Sequence, residues 1–129
     1  MVTATEGRVE DLAKQVVDCA FQVHTTLGPG LLESIYEGCL AHELGLRKIA
    51  FKRQLNLPVK YKDLVLPDAF RLDLLVADLI VIEVKSVESL DRIHTAQLLT
   101  YMKLANLSLG FLINFNVPLI KDGIKRLKL

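Results

Sequence analysis

Asp73, Glu83 and Lys85 carry the side chains of this sequence whose types and spacing could do chemistry together. Phe70, Leu72, Leu74 and Val76 alternate with Arg71, Asp73 and Leu75, and in the next segment Ile80, Ile82 and Val84 alternate with Val81, Glu83 and Lys85. Alternate residues of a strand point to opposite faces, and a slip of one residue sends a whole apolar set to the wrong side. Burying both sets across a three-residue loop at Ala77 to Leu79 sets Val76 opposite Ile80. Asp73 then lies opposite Glu83, and Arg71 opposite Lys85. Two carboxylates so placed have side-chain roots roughly 5 Å apart, which is repulsive unless a cation or a proton sits between them. Mg²⁺, or Mn²⁺, suits such a pair and completes its shell with water and phosphate oxygens. The Lys85 ammonium can stand beside that water or phosphate. The plainer alternative is a solvated hairpin face on which Arg71 and Lys85 neutralise the two acids. Against it, Glu83 and Lys85 interrupt an otherwise apolar strand that looks central and covered on both faces.

The elements that must position these residues follow from hydrophobic period. Val9, Leu12, Ala13, Val16, Val17, Ala20 and Val23 recur at helical spacing, predicting a helix over residues 9–26 that Gly28-Pro29-Gly30 stops. A second helix is expected over 32–44, with Gly45 as its C-terminal stop. From Ala50 the period becomes two, predicting a strand over 50–57 that Pro58 ends or marks as an edge. A weaker strand or hairpin about Lys62-Asp63 is expected over 59–66, then a turn at Pro67-Asp68. Strands over 69–76 and 80–85 follow. A third helix over 89–104 carries Ile93, Gln97, Tyr101 and Leu104 along one stripe. A strand over 109–115, a turn at Asp122-Gly123 and an edge strand over 124–129 complete the order α-α-β-β-β-β-α-β-β. This is a mixed α/β arrangement in one domain.

At 129 residues, 51% hydrophobic and 24% charged, the chain has the size and composition of one folded domain and not of a disordered one. Sixteen Lys and Arg against fifteen Asp and Glu leave no net field to attract a polyanion, so any nucleic-acid surface must be local. Two basic clusters could serve, Lys48, Lys52, Arg53, Lys60 and Lys62, and Lys121, Lys125, Arg126 and Lys128; solvated strand edges look much the same. Cys19 and Cys39 lie on apolar helix faces without metal spacing and read as buried free thiols. No signal-peptide pattern and no bilayer-length apolar segment is present, so a cytoplasmic protein with no membrane association is expected. Exposed edge strands leave room for a homodimer.

The segment Gly30-Leu31-Leu32-Glu33-Ser34-Ile35-Tyr36 resembles the G-x-x-E-x-x-Y signature of the GxxExxY proteins, a group within the PD-(D/E)xK nuclease superfamily. Phe70 to Val76, Ile82-Glu83-Val84-Lys85, Gln97 to Tyr101 and Ile113-Asn114-Phe115-Asn116 extend the resemblance over residues 17–126. It implies a restriction-endonuclease-like mixed β-sheet flanked by helices, with Asp73 and Glu83 as metal ligands, Glu33 as the acid that the first-motif helix contributes to the same metal, Lys85 as the catalytic lysine, and Gln97 lining the site. It also implies DNA or RNA as the substrate. Leu72 stands where the superfamily dipeptide has Pro; a literal Pro-Asp occurs at Pro67-Asp68, which makes Asp68 the rival acid. A non-catalytic module that keeps this fold and binds a protein or nucleic-acid partner is the alternative, favoured by the near-neutral charge.

The remaining candidates have ordinary explanations beside functional ones. Glu33 opens a helix, where the dipole stabilises any carboxylate. Tyr36 and Tyr101 read as core aromatics whose hydroxyls reach the site. His24 precedes the glycine turn and His94 lies one turn ahead of Gln97, both as secondary candidates. Gly28 and Gly30 lack the residues that complete a phosphate loop.

Overall fold

A computed structural model describes residues 3–129. Helix α1 (Ala4–Leu27) begins before its apolar stripe because Thr3 builds a capping box: its Oγ1 accepts the Glu6 N–H and its own N–H donates to the Glu6 carboxylate, each at 3.0 Å. Gly28 and Gly30, with φ of +73° and +99°, turn the chain into α2 (Glu33–Leu46). Five strands follow, β1 (Phe51–Tyr61), β2 (Leu64–Val76), β3 (Ile80–Lys85), then α3 (Arg92–Leu104), β4 (Leu109–Asn114) and β5 (Ile124–Lys128). They form one sheet in the order β1-β2-β3-β4-β5, antiparallel except for β3 and β4, which α3 connects in parallel.

The sheet is the middle layer. On one face Leu74, Val76, Ile80, Ile82 and Val84 pack with the apolar sides of α1 and α2; on the other Val81 and Leu112 pack with Leu98 and Met102 of α3. Central β3 and β4 are covered on both sides, which explains their unbroken apolar runs.

The expected six strands are five. Pro58 does not end β1, which is an edge strand where a missing N–H leaves no sheet partner unsatisfied. Pro67-Asp68 is not a turn either. The register shifts between Leu57, paired with Phe70, and Val59, paired with Leu66, and this bulge absorbs Pro67, Asp68 (φ +49°) and Ala69 within β2. The hairpin does turn at Lys62-Asp63. A second departure is on the faces of β2. Leu74 and Val76 join the α1/α2 layer as the alternation predicts, but Phe70 and Leu72 pack on the α3 side. In α3 the buried pair is Leu98 and Met102, while Ile93 and Leu104 of the expected stripe are exposed.

Between the 3₁₀ turn Ile120–Asp122 and β5, Gly123 lies against the end of β4. A Cβ there would stand 2.0 Å from the Asn114 carbonyl oxygen, and the Gly123 carbonyl accepts the Asn114 N–H at 2.9 Å. Backbone cannot yield as a flexible side chain can. Gly123→Ala therefore lowers stability by about 3 kcal/mol, measured as a lower urea midpoint with unchanged slope. A change within about 0.5 kcal/mol would show that the close approach is not real.

Candidate functional site

Strands β2 and β3 pair at Val76/Ile80, Leu75/Val81 and Leu74/Ile82, the register expected from the alternation. The ladder stops there, one residue short of Asp73 and Glu83. In place of the next backbone bonds, the Asp73 N–H donates to Glu83 Oε1 at 3.3 Å and the Val84 N–H donates to Asp73 Oδ2 at 2.9 Å. Each carboxylate is thus held against the other strand. Beyond the opened ladder Arg71 and Lys85 form no backbone pair, and Arg71 pairs with Asn56 of β1 on its other edge; both side chains line the same cleft.

Asp73 and Glu83 open into a cleft of about 330 Å³. Glu33, Arg71, Lys85, Gln97 and Tyr101 line it too. Glu83 is 7% exposed. Burial, the negative charge of Asp73 and a hydrogen bond shared with Asp73 push its carboxyl up to about 8, while Lys85 pulls the other way. Without a cation the pair holds a proton near neutrality. Burial and the same two acids also raise the Tyr101 hydroxyl, and Arg71 opposes this. The Phe70 and Tyr101 rings meet in a tilted arrangement, 5.0 Å between centroids and 34° between planes, joining β2 to α3 across the cleft.

The family model of the PD-(D/E)XK nuclease superfamily matches residues 10–127, from α1 through β5. The chain belongs to the PD-(D/E)XK nuclease superfamily. The observed sheet and helices are the expected fold class. Comparison with curated proteins and with solved structures gave no match.

PD-(D/E)XK nucleases generally use divalent metals, and the donors here suit one. Carboxylate oxygens are hard ligands, and the repulsion between Asp73 and Glu83 that a proton relieves is one that a divalent cation would also relieve. Among the described residues, no three of His, Cys, Asp and Glu group closely enough to enclose an ion. The two converging acids would leave most of its shell to water or phosphate, as Mg²⁺ prefers. Glu33 borders the cleft from the first turn of α2, where its Oε1 takes the Ser86 N–H at 3.4 Å. The Ser86 hydroxyl donates to the Leu31 carbonyl at 2.6 Å, so the chain leaving Lys85 is tied to the start of α2.

From the other side Asn114 holds the same segment. Its amide exchanges two bonds with the backbone of Val87, at 3.1 and 3.0 Å, and the Phe115 N–H donates to the Lys85 carbonyl at 2.9 Å. The Ile113 to Asn116 motif thus acts as a clamp on the chain behind Lys85.

Three secondary candidates lie elsewhere. Tyr36 is fully buried, stacks on Phe115 at 4.5 Å, donates to the Gly28 carbonyl at 2.6 Å and accepts the Leu31 N–H at 3.1 Å, bracing the glycine turn. His24 is buried with Nε2 at 2.7 Å from the Val117 carbonyl. His94 accepts the Asp91 N–H at 3.1 Å and caps α3. The Tyr36 hydroxyl and one ring nitrogen of each histidine are engaged by backbone, and none of the three residues lines the cleft. Cys19 is buried, its thiol pushed up to about 11 by that burial, and Cys39 is half-buried.

Asp68 borders the cleft through the β2 bulge, although the sequence suggested a turn; the acid that perturbs Glu83 is Asp73. Asn56 and Phe70 also line it and were missed. Their one signal was proximity to Arg71 and Asp73 in a paired strand, readable only with the β1–β2 register in hand.

Three of the nine residues in the two basic clusters are paired with acids. Lys52 pairs with Asp78 at 3.0 Å, Arg53 with Glu37 at 3.0 Å, and Arg126 with Glu10. No described helix is long and apolar enough to cross a membrane.

Proposed function

We propose that this chain is a divalent-metal-dependent nuclease of the GxxExxY group, hydrolysing phosphodiester bonds of DNA or RNA in the cytoplasm. The observation that carries this is the meeting of Asp73 and Glu83 at the opened end of the β2–β3 ladder, with Lys85 in the same cleft. Asp73 and Glu83 would hold Mg²⁺ or Mn²⁺, with Glu33 bordering the outer side. When bound, such an ion neutralises charge on the scissile phosphate and strengthens water as a nucleophile. Lys85 presents its ammonium to the phosphate as negative charge builds there. Gln97 and Tyr101 border the water side from α3. Arg71 and Asn56 offer donors to the flanking backbone. Glu33 and Tyr36 fit the group's motif in two parts: the acid reaches the cleft and the tyrosine braces the turn that delivers it.

Calorimetric titration of chelator-treated protein tests this. Wild type is expected to bind Mn²⁺ or Mg²⁺ and to cleave single- or double-stranded polynucleotide only with the ion present; Asp73→Ala is expected to lose both properties while melting cooperatively. Absence of metal affinity in folded wild type would overturn the reading in favour of a non-catalytic binding module, the alternative that the near-neutral charge supports.

A further inference from the structure

Glu37 is a buried acid that the proposed chemistry leaves unused. It lies in α2, 6% exposed, and its two oxygens are both engaged by β1. Oε2 accepts from Arg53 Nε at 3.2 Å and Nη2 at 3.0 Å; Oε1 accepts from Gln54 Nε2 at 2.5 Å. Arg53 and Gln54 are consecutive in one strand, and an extended strand sends consecutive side chains to opposite faces. Both reach Glu37 because Gln54 has φ +50°. A non-glycine residue persists there only when its surroundings hold it.

The consequence appears across the sheet. Gln54 and Asp73 would be partners in the β1–β2 register, yet this pair drops out of the ladder while Arg53/Leu74 and Leu55/Leu72 remain. On one side of the gap Leu74 and Val76 pack toward α1 and α2; on the other Leu55, Leu57, Phe70 and Leu72 pack toward α3. The hairpin therefore changes face at Asp73. That change brings Phe70 against Tyr101 and sets Asn56 and Arg71 at the wall of the cleft.

We infer that Glu37 is a positioning residue: by holding Gln54 in the left-handed conformation it sets the face change that closes the cleft wall beside Asp73. The inference rests on the proposed reading for its metal readout alone. Three variants test it in the full chain, with Mn²⁺ as the probe. Glu37→Gln keeps one acceptor and one face of the interaction, and it is expected to weaken Mn²⁺ binding by about tenfold, the scale of outer-shell changes at metal sites. Gln54→Val, a β-branched residue that resists positive φ, is expected to weaken it as much. Gln54→Gly, which accepts that φ, is expected to weaken it less. A purely structural ion pair would lower the melting temperature without this ordering. Amide exchange of the Asp73 N–H, bonded to Glu83, supplies a metal-free readout and is expected to accelerate in Glu37→Gln and Gln54→Val. If Glu37→Gln fails to fold, the Val and Gly variants decide. Equal Mn²⁺ affinity in wild type and Gln54→Val, or a Gly variant no better than the Val variant, overturns the inference. Failure of wild type to bind Mn²⁺ would sink the proposed function instead, and the exchange rates would still judge Glu37.

Discussion

Lys85→Ala is expected to lower the turnover of Mg²⁺-dependent cleavage by about 10²–10³-fold, the scale of removing one preorganised electrostatic contact to a transition state. The backbone of Lys85 is fixed independently of its side chain, as the last β3 residue paired with Asn114 of β4 and with its carbonyl bonded to Phe115. Truncation should therefore leave the fold and the two carboxylates in place. Metal affinity is expected to stay near wild type, because the residues proposed to hold the ion are Asp73 and Glu83. Lys85→Arg should not restore the rate, since a planar fork on a longer stem does not reproduce a compact ammonium. Unchanged turnover in the purified alanine variant would remove Lys85 from the mechanism and point to a contaminating nuclease.

Glu83→Gln is expected to stabilise the metal-free protein at alkaline pH relative to wild type. In the folded chain burial and Asp73 push the Glu83 carboxyl from its ordinary 4.5 to about 8. Between those values the folded protein keeps a proton that the unfolded chain gives up. Stability is therefore fully present below the unfolded value, falls as pH rises, and levels off above the folded one, with a slope of at most ~1.4 kcal/mol per pH unit. The glutamine variant lacks this slope, so its advantage grows between pH 5 and pH 8 to a few kcal/mol. Urea unfolding in chelator at several pH values measures it. Saturating Mg²⁺ should restore much of the loss in wild type at pH 8 by binding the folded state, and should do little for the variant. Parallel pH profiles for the two proteins would mean that the acids do not repel one another as described.

The carboxylate pair was legible in the sequence because the β2–β3 register depends on local things. A short loop and two alternating apolar sets leave one pairing that buries both. The helices were legible from their period, although Thr3 moved the start of α1 outward through a cap that periodicity does not see. Other features depend on distant partners. Pro58 and Pro67 read as breaks because a proline usually disrupts a ladder; they are tolerated here by an edge position and a bulge. Alternation put Phe70 and Leu72 with Leu74, and nothing near them in the chain announces the change of face, which lies with Gln54 and Glu37. The stripe of α3 was found but misassigned: Gln97 and Tyr101 overlook the cleft, whereas Leu98 and Met102 make the core contacts. His24 and His94 were singled out by nearness in sequence to site elements, and both turned toward backbone groups instead.

The opened ladder also bears on ion size. Asp73 commits Oδ2 and Glu83 commits Oε1 to backbone N–H groups, which leaves each acid a single oxygen unclaimed by the main chain. Gripping an ion with both oxygens would place it on the second lone pair of an oxygen that already accepts a backbone N–H. A large ion such as Ca²⁺, which collects six to eight oxygens and often takes carboxylates two at a time, would crowd the two N–H groups that already use those oxygens. A small octahedral ion content with one oxygen from each acid leaves them where folding put them.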